Sequence, residues 1–277
     1  MPVRARAMVS FLFWNTRKRS VPALLRLLAD AHSPDVLLLA ENAMEPSVLL
    51  NSLNEGRARK FRLCLCRKPD LVALTPLPEA FFRSCHEDPR FSIFRLTLPL
   101  RVEMHLVAAH LPSKASWSQP SQSDYCKRIA TAIRRAEDEA GHRRTLLVGD
   151  LNMDPFEPGL LSAEGLHAVM TRRIAMRETR KILDQEYPFF YNPMWGFFGD
   201  LTRGPAGTYY YRSSELIAQF WHLFDQVLVR PELLRHFNPD RLQILQSVGG
   251  ISLIGDSGYP DSKVASDHLP VSFTLDV

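Results

Sequence analysis

The chain has 277 residues, 45% of them hydrophobic and 23% charged, with 34 Lys and Arg against 30 Asp and Glu and a net charge of +4. This composition excludes wholesale disorder, a collagen-like repeat and a coiled coil, and the length suffices for one large core or two small ones. The basic excess permits a polyanionic partner without demanding one.

At the N-terminus, Arg4 and Arg6 precede a short apolar run, superficially like an export signal. Asn15, Thr16 and three basic residues follow the run instead of a small-residue cleavage site, so 9–14 is expected as a buried first strand of a cytoplasmic protein whose core begins near residue 8. Ser20 is the expected N-cap of a helix carrying Leu24, Leu25, Leu27 and Leu28 to about Ala31, stopped by Ser33-Pro34. Strands are then expected at 35–40, 61–66, 71–75, 92–98 and 104–109. A second helix starts near Ser123-Asp124, places Ile129, Ala130 and Ile133 on one face and ends at Gly141. Strands follow at 145–148, 224–229, 242–248 and 271–275. The longest apolar runs have strand length, far below the ~20 residues of a membrane-spanning helix, so no membrane association is expected. Cys64, Cys66, Cys85 and Cys126 are too few for a disulfide scaffold, and no second cysteine pair completes a zinc site. Many strands interleaved with few helices, and no linker or repeat, give a layered α/β fold with mixed sheets in one domain spanning 1–277.

Several of these strands stay apolar until their last residues and then meet a ligand-type or acid–base residue. Trp14 is followed by Asn15, Ala40 by Glu41, Ala109 by His110, and Val148 by Gly149-Asp150-Leu151-Asn152. Asp225 stands near the start of its strand, and Ser266-Asp267-His268 precedes the last one. A carboxylate or imidazole at a buried strand tip is costly unless paired or solvated in a cleft. One such residue would be an ordinary loop contact, whereas several on separate strands gather in one crevice wherever the sheet ends lie together.

In this order these residues resemble the endonuclease/exonuclease/phosphatase superfamily, whose members include nucleases, inositol-polyphosphate phosphatases, sphingomyelinases and tyrosyl-DNA phosphodiesterases. The resemblance implies a four-layer α/β sandwich, two mixed sheets face to face with helices outside, and metal-dependent phosphodiester hydrolysis. It assigns Glu41, the Asn15 amide oxygen and Asp267 to a divalent cation, Mg²⁺ with Mn²⁺ as a possible substitute. Asp150 would be the base or would orient the attacking water, with Asn152 positioning it or the phosphate. His268, oriented by Asp225, would bind a non-bridging oxygen, and His110 would stabilise the developing charge or assist the leaving group. The residue acting as base, and whether one metal or two act, stay open. The run from His110 to Leu111-Pro112-Ser113 resembles the DNase I, phosphatase, sphingomyelinase and tyrosyl-DNA phosphodiesterase branches more than the abasic-site enzymes, which tend to carry Tyr there.

Two features bear on substrate. Arg17, Lys18 and Arg19 follow Asn15 directly, and Lys114 follows His110, so four cations are expected at the crevice mouth as phosphate contacts. Between Asp150 and Asp225 lies an aromatic cluster, in which Phe189, Phe190, Phe197 and Phe198 are expected to pack, and Trp195 and a tyrosine of the 209–211 run, Tyr209 foremost, to stack on bases. These features favour a nuclease acting on DNA, endo- or exonucleolytic. The alternatives are a phosphatase or phosphodiesterase of inositol phosphates, lipids or nucleotides, and an inactive nucleic-acid-binding module of the same fold.

Overall fold

The structure, a computed structural model, describes residues 8–64, 66–68, 70–98, 102–201 and 204–277. In chain order its strands are β1 (Met8–Asn15), β2 (Val36–Ala40), β3 (Arg62–Cys64), β4 (Val72–Thr75), β5 (Phe82–Glu87), β6 (Phe91–Leu96), β7 (Met104–His110), β8 (Thr145–Asp150), β9 (Ala168–Val169), β10 (Thr179–Ile182), β11 (Gln185–Pro188), β12 (Phe190–Tyr191), β13 (Tyr209–Tyr210), β14 (Trp221–His222), β15 (Asp225–Val229), β16 (Gln243–Ile244), β17 (Ser247–Val248), β18 (Ile251–Ser252) and β19 (Val271–Asp276). A six-stranded sheet runs in the order β16-β19-β1-β2-β4-β3, and a seven-stranded sheet in the order β5-β6-β7-β8-β15-β12-β9. The remaining strands form three small hairpins, β10-β11, β13-β14 and β17-β18.

The central strands are apolar without interruption because both of their faces are covered. In β7 and β8, Leu106, Ala108, Leu146 and Val148 face the core between the sheets, which also takes Phe11, Phe13 and Phe273. The intervening Val107, Ala109 and Leu147 face a second core with Cys126, Ile129 and Ile133. Those three residues belong to α3 (Gln119–Ala140), the long helix over the seven-stranded sheet. Two shorter helices, α1 (Pro22–His32) and α2 (Pro46–Asn54), bury Leu25, Leu28, Leu49 and Leu53 in the first core. Each such leucine contributes about 1.5–3 kcal/mol through burial.

Boundaries differ from the sequence expectation for local reasons. Val21, not Ser20, occupies the cap position of α1, with Pro22 in the first turn, and Ser33 ends the helix in the left-handed region at φ 44°. α3 begins at Gln119 rather than near Ser123, because Ser118 caps it by accepting the Ser121 N–H, and Gly141 closes it at φ 68°. The expected strand 61–66 is limited to Arg62–Cys64, with Leu65 outside the described residues, as is the N-terminal 1–7. The expected strand 242–248 divides between β16, which pairs β19, and β17, which pairs β18. Strands β7 and β8 run one or two residues beyond the apolar stretch, to His110 and Asp150. Among the described residues no helix is long and apolar enough to cross a membrane.

At the far end of β15, Arg230 is 2% exposed and donates through Nε to the Glu137 carboxylate of α3 at 2.8 Å. Its guanidinium also donates to the Pro188 and Phe189 carbonyls and lies 3.8 Å over the Phe190 ring. Besides the apolar packing of Ile129 and Ile133, that side chain ties α3 to the end of β15 and to the chain leading into β12.

Candidate active site

Strand register builds the site. In the seven-stranded sheet His110 pairs with Asp150, and Asp150 pairs with Asp225, so three candidate site residues stand in a row across β7, β8 and β15. In the six-stranded sheet Asn15 pairs with Ala40, which sets Glu41 next to it, and Phe13 pairs with Val271, which brings the His268 segment to the same end. The Trp14 indole donates to the His268 carbonyl at 2.9 Å and the Ser266 hydroxyl to the Asn15 carbonyl at 2.8 Å, fixing that segment against β1. Gly149 makes the close approach of β7 and β8 possible, since a Cβ there would fall 1.9 Å from the Ala109 carbonyl oxygen.

The two sheet ends meet in hydrogen bonds. The Asn15 side-chain amide donates to Asp150 Oδ2 at 2.8 Å and lies 3.5 Å from Glu41 Oε1. The Asn152 backbone N–H donates to Asp150 Oδ1 at 2.9 Å, so both oxygens of this fully buried carboxylate are oriented. Burial raises the Asp150 carboxyl above its ordinary range; the Asp225 charge adds to the rise, and the His268 imidazolium opposes it. His268 donates from Nδ1 to Asp225 Oδ2 at 2.8 Å. Burial alone would lower the His268 pKa, but the Asp225 charge and this hydrogen bond outweigh it and raise the value to about 10, so the ring is an imidazolium at neutral pH.

His110 is the opposite case. Burial, with the Lys68 cation beside it, lowers its pKa to about 4 despite the Asp150 charge. The Lys68 ammonium contacts its Nδ1, and an ammonium can only donate, so Nδ1 is the acceptor and Nε2 carries the proton. Nε2 faces Glu41 Oε1 at 3.7 Å and Asp150 Oδ2 at 3.9 Å. Glu41 and Asn152 are both in the left-handed backbone region, at φ 48° and 51°. Local backbone strain of this sort clusters at functional sites.

These groups open into a crevice of about 650 Å³, whose walls include Arg17, Glu41, Lys114, Asp150, Asn152, Tyr209, Asp267 and His268. The structure thus brings most of the sequence-predicted residues together, with exceptions. The Asn15 amide oxygen accepts the Arg17 backbone N–H at 2.9 Å, so the amide turns its NH₂ rather than its oxygen toward the carboxylates. Of the basic triplet only Arg17 lines the crevice, paired with Asp267 at 3.2 Å. Lys18 is exposed outside it, and Arg19 donates to the Lys263 carbonyl at 2.6 Å, because Arg17 and Lys18 at φ 49° and 56° turn the chain away. Trp195 also lies outside the crevice walls, packed against Phe156 and Phe198. Tyr209 lies where expected, its ring 4.6 Å from that of His268. Sequence reasoning missed Lys68, in a turn without any apolar pattern, and a second imidazole–carboxylate pair, His222 with Asp154. The only hint of that pair was a further acid four residues after Asp150.

A hard divalent cation fits these residues. Asp225 Oδ1 is buried with no hydrogen-bond partner among the described residues, and Asp150 is a buried carboxylate with its pKa pushed up, both signs of negative charge short of compensation. Glu41, whose nearest side-chain N–H groups stand at 3.5 and 3.7 Å, keeps oxygens free for such an ion. Asp150, Asp225 and His268 also place potential ligand atoms within 4.8 Å of one another, but the His268 ring donates to Asp225 and is not available as a ligand.

No protein-family model matches the sequence, and no curated protein sequence matches it. Solved structures do match the fold. TDP2 of D. rerio, in complex with a single-strand DNA product, superposes at a TM-score of 0.57 with 14% identity over 98% of this chain and 100% of that one. An endonuclease/exonuclease/phosphatase family protein from Bacteroides thetaiotaomicron gives 0.56 with 11% identity over 97% and 98%. The endonuclease domain of TRAS1, a telomere-specific non-LTR retrotransposon, gives 0.51 with 12% identity over 97% and 99%. The chain has the endonuclease/exonuclease/phosphatase fold: an α/β sandwich of two mixed sheets.

Proposed function

We propose that this chain is a divalent-cation-dependent phosphodiesterase acting on DNA, with magnesium as its cation, and that the described residues work as one catalytic unit. The observation that carries this reading is the convergence of Glu41, His110, Asp150 and the Asp225–His268 pair at one end of the two sheets, with Glu41, Asp150 and His268 in the walls of one crevice. Glu41 and Asp267 are the carboxylates that would hold the cation, which when bound neutralises phosphate charge and stabilises the leaving oxygen. Asp150, with one oxygen held by Asn15 and the other by Asn152, accepts a proton from the attacking water, and its raised pKa suits it to that role. The His268 imidazolium binds a non-bridging oxygen, and Nε2–H of neutral His110 donates to charge developing beside it. Arg17 and Lys114, paired with Asp267 and Glu157, are the wall cations that exchange those carboxylates for phosphate, and Tyr209, Tyr211, Phe220 and Phe224 supply rings against which bases stack. The single-strand DNA product in the TDP2 complex is an analogy in the same direction.

The test is hydrolysis of plasmid, single-stranded DNA, RNA and bis(p-nitrophenyl) phosphate, each with and without EDTA, by the wild type and Glu41→Gln. DNA cleavage that EDTA abolishes and Glu41→Gln lowers by ~10²–10³ is expected. Cleavage indifferent to both would overturn the site assignment, and cleavage of the small diester alone would overturn the polymer.

A further inference from the structure

The crevice holds a second imidazole–carboxylate pair. His222 Nδ1 lies 2.7 Å from Asp154 Oδ2, and Asp154 Oδ1 accepts the Leu223 N–H at 2.8 Å. Asp154 is 1% exposed, and its backbone N–H donates to Glu157 at 2.8 Å, so the carboxylate is fixed in a buried bracket. Nδ1 of His222 is thereby committed, and Nε2, without a hydrogen-bond partner among the described residues, is the nitrogen left for the crevice that His222 lines.

The placement of this pair relative to His268 follows from the strands. Tyr209 pairs with His222 on one side and bridges to His268 on the other, so the three share one cross-strand row and one face. Two strand spacings separate the outer backbones by ~10 Å. The Tyr209 ring stands between the two imidazoles, 4.6 Å from the His268 ring and 6.2 Å from that of His222. A backbone spacing of ~10 Å with a ring interposed suits contacts to two neighbouring phosphates better than two contacts to one. The Phe224 ring, 4.7 Å from His222, also carries the Lys114 ammonium 5.6 Å from its centre, so an imidazole and an ammonium, the latter paired with the Glu157 carboxylate, flank one aromatic platform.

We propose that His222, positioned by Asp154, takes up a second ring proton on anion binding and, with Lys114 beside it, donates from Nε2 to a second anionic group of the substrate, the phosphate next to the one at His268. The substrate class is then an oligomeric phosphodiester rather than a single isolated diester. This rests on the phosphodiesterase reading, with His222 as a binding residue outside the chemistry and Asp154 as its positioning residue.

The experiment compares the wild type, His222→Gln and Asp154→Asn on a short single-stranded oligonucleotide and on bis(p-nitrophenyl) phosphate. Both variants are expected to raise KM for the oligonucleotide roughly ten- to a hundredfold, the worth of one charge-assisted hydrogen bond, with kcat little changed. The small diester, which has no second phosphate, should keep its kcat and KM. Equal losses on both substrates would overturn the proposal in favour of a role in chemistry or folding, and no loss on either would overturn it outright. Asp154→Asn retains the acceptor for the Leu223 N–H, so it serves if His222→Gln fails to fold. In parallel, oligonucleotide binding is measured by fluorescence anisotropy on Glu41→Gln protein with and without His222→Gln. A tenfold weakening there supports the second site even if the chain cleaves nothing, and unchanged affinity refutes it.

Discussion

Gly149→Ala should be severely destabilising. The new Cβ would lie 1.9 Å from the Ala109 oxygen, 2.7 Å from its carbonyl carbon and 3.0 Å from its Cα, all backbone atoms of the paired strand β7. Ordinary contact begins near 3.4 Å, so the strands would have to part by ~1.5 Å in a close-packed interior. That opening carries the neighbouring N–H···O bonds of the parallel β7–β8 ladder past hydrogen-bonding distance. Two or three bonds at ~1 kcal/mol each, with an overpacking cost of ~1–3 kcal/mol, give ~3–6 kcal/mol. Against a typical stability of ~5–15 kcal/mol this is a large fraction, and for a chain of this size it lowers Tm by ~10 °C. Thermal unfolding followed by circular dichroism measures it. Gly196→Ala is the control, because a Cβ there meets nothing within 4 Å and the backbone is not left-handed. A Gly149→Ala Tm within about 2 °C of wild type would refute the close β7–β8 approach, and with it the register that sets His110 beside Asp150.

Asp225→Asn should lower the His268 pKa toward its ordinary value, since burial is then opposed by the Asp150 and Asp267 charges without that of Asp225. Because folding raises the His268 pKa from 6.5 to about 10, its contribution to stability is fully present below pH 6.5 and falls as pH rises through about 10. An NMR titration of His268, with denaturant unfolding between pH 6 and 10, checks both, and an Asp225→Asn ring still protonated at pH 9 would contradict the assignment. Glu137→Ala leaves the Arg230 guanidinium buried without its carboxylate and should cost ~3–5 kcal/mol in urea unfolding. A cost below ~1 kcal/mol would show that the Pro188 and Phe189 carbonyls suffice for it.

Residues at strand tips were legible because strand and site obey the same constraint. An apolar run covered on both faces can end in a charge only where the sheet ends, and His110, Asp150 and Asp225 lie there in adjacent register. The sandwich architecture was legible only through the resemblance, since the strand tally alone gives layers and not their order. β5 escaped because it is an edge strand with Arg83 through Glu87 exposed, leaving no apolar alternation to read. α2 escaped although Leu49 and Leu53 carry helical spacing behind Pro46. Side-chain direction was the least legible of all. The Asn15 amide orientation is set by the Arg17 N–H, and the exclusion of Lys18, Arg19 and Trp195 from the crevice by local backbone turns and ring packing that composition does not encode.

Asn15, Glu41 and His268 reach the site from one sheet, and His110, Asp150 and Asp225 from the other. Neither half carries a complete set, so a chain in which the sheets have formed but not yet docked has no functional centre. On the proposed reading, catalysis requires the two sheets docked face to face, and parting them would disassemble the centre even with each sheet intact.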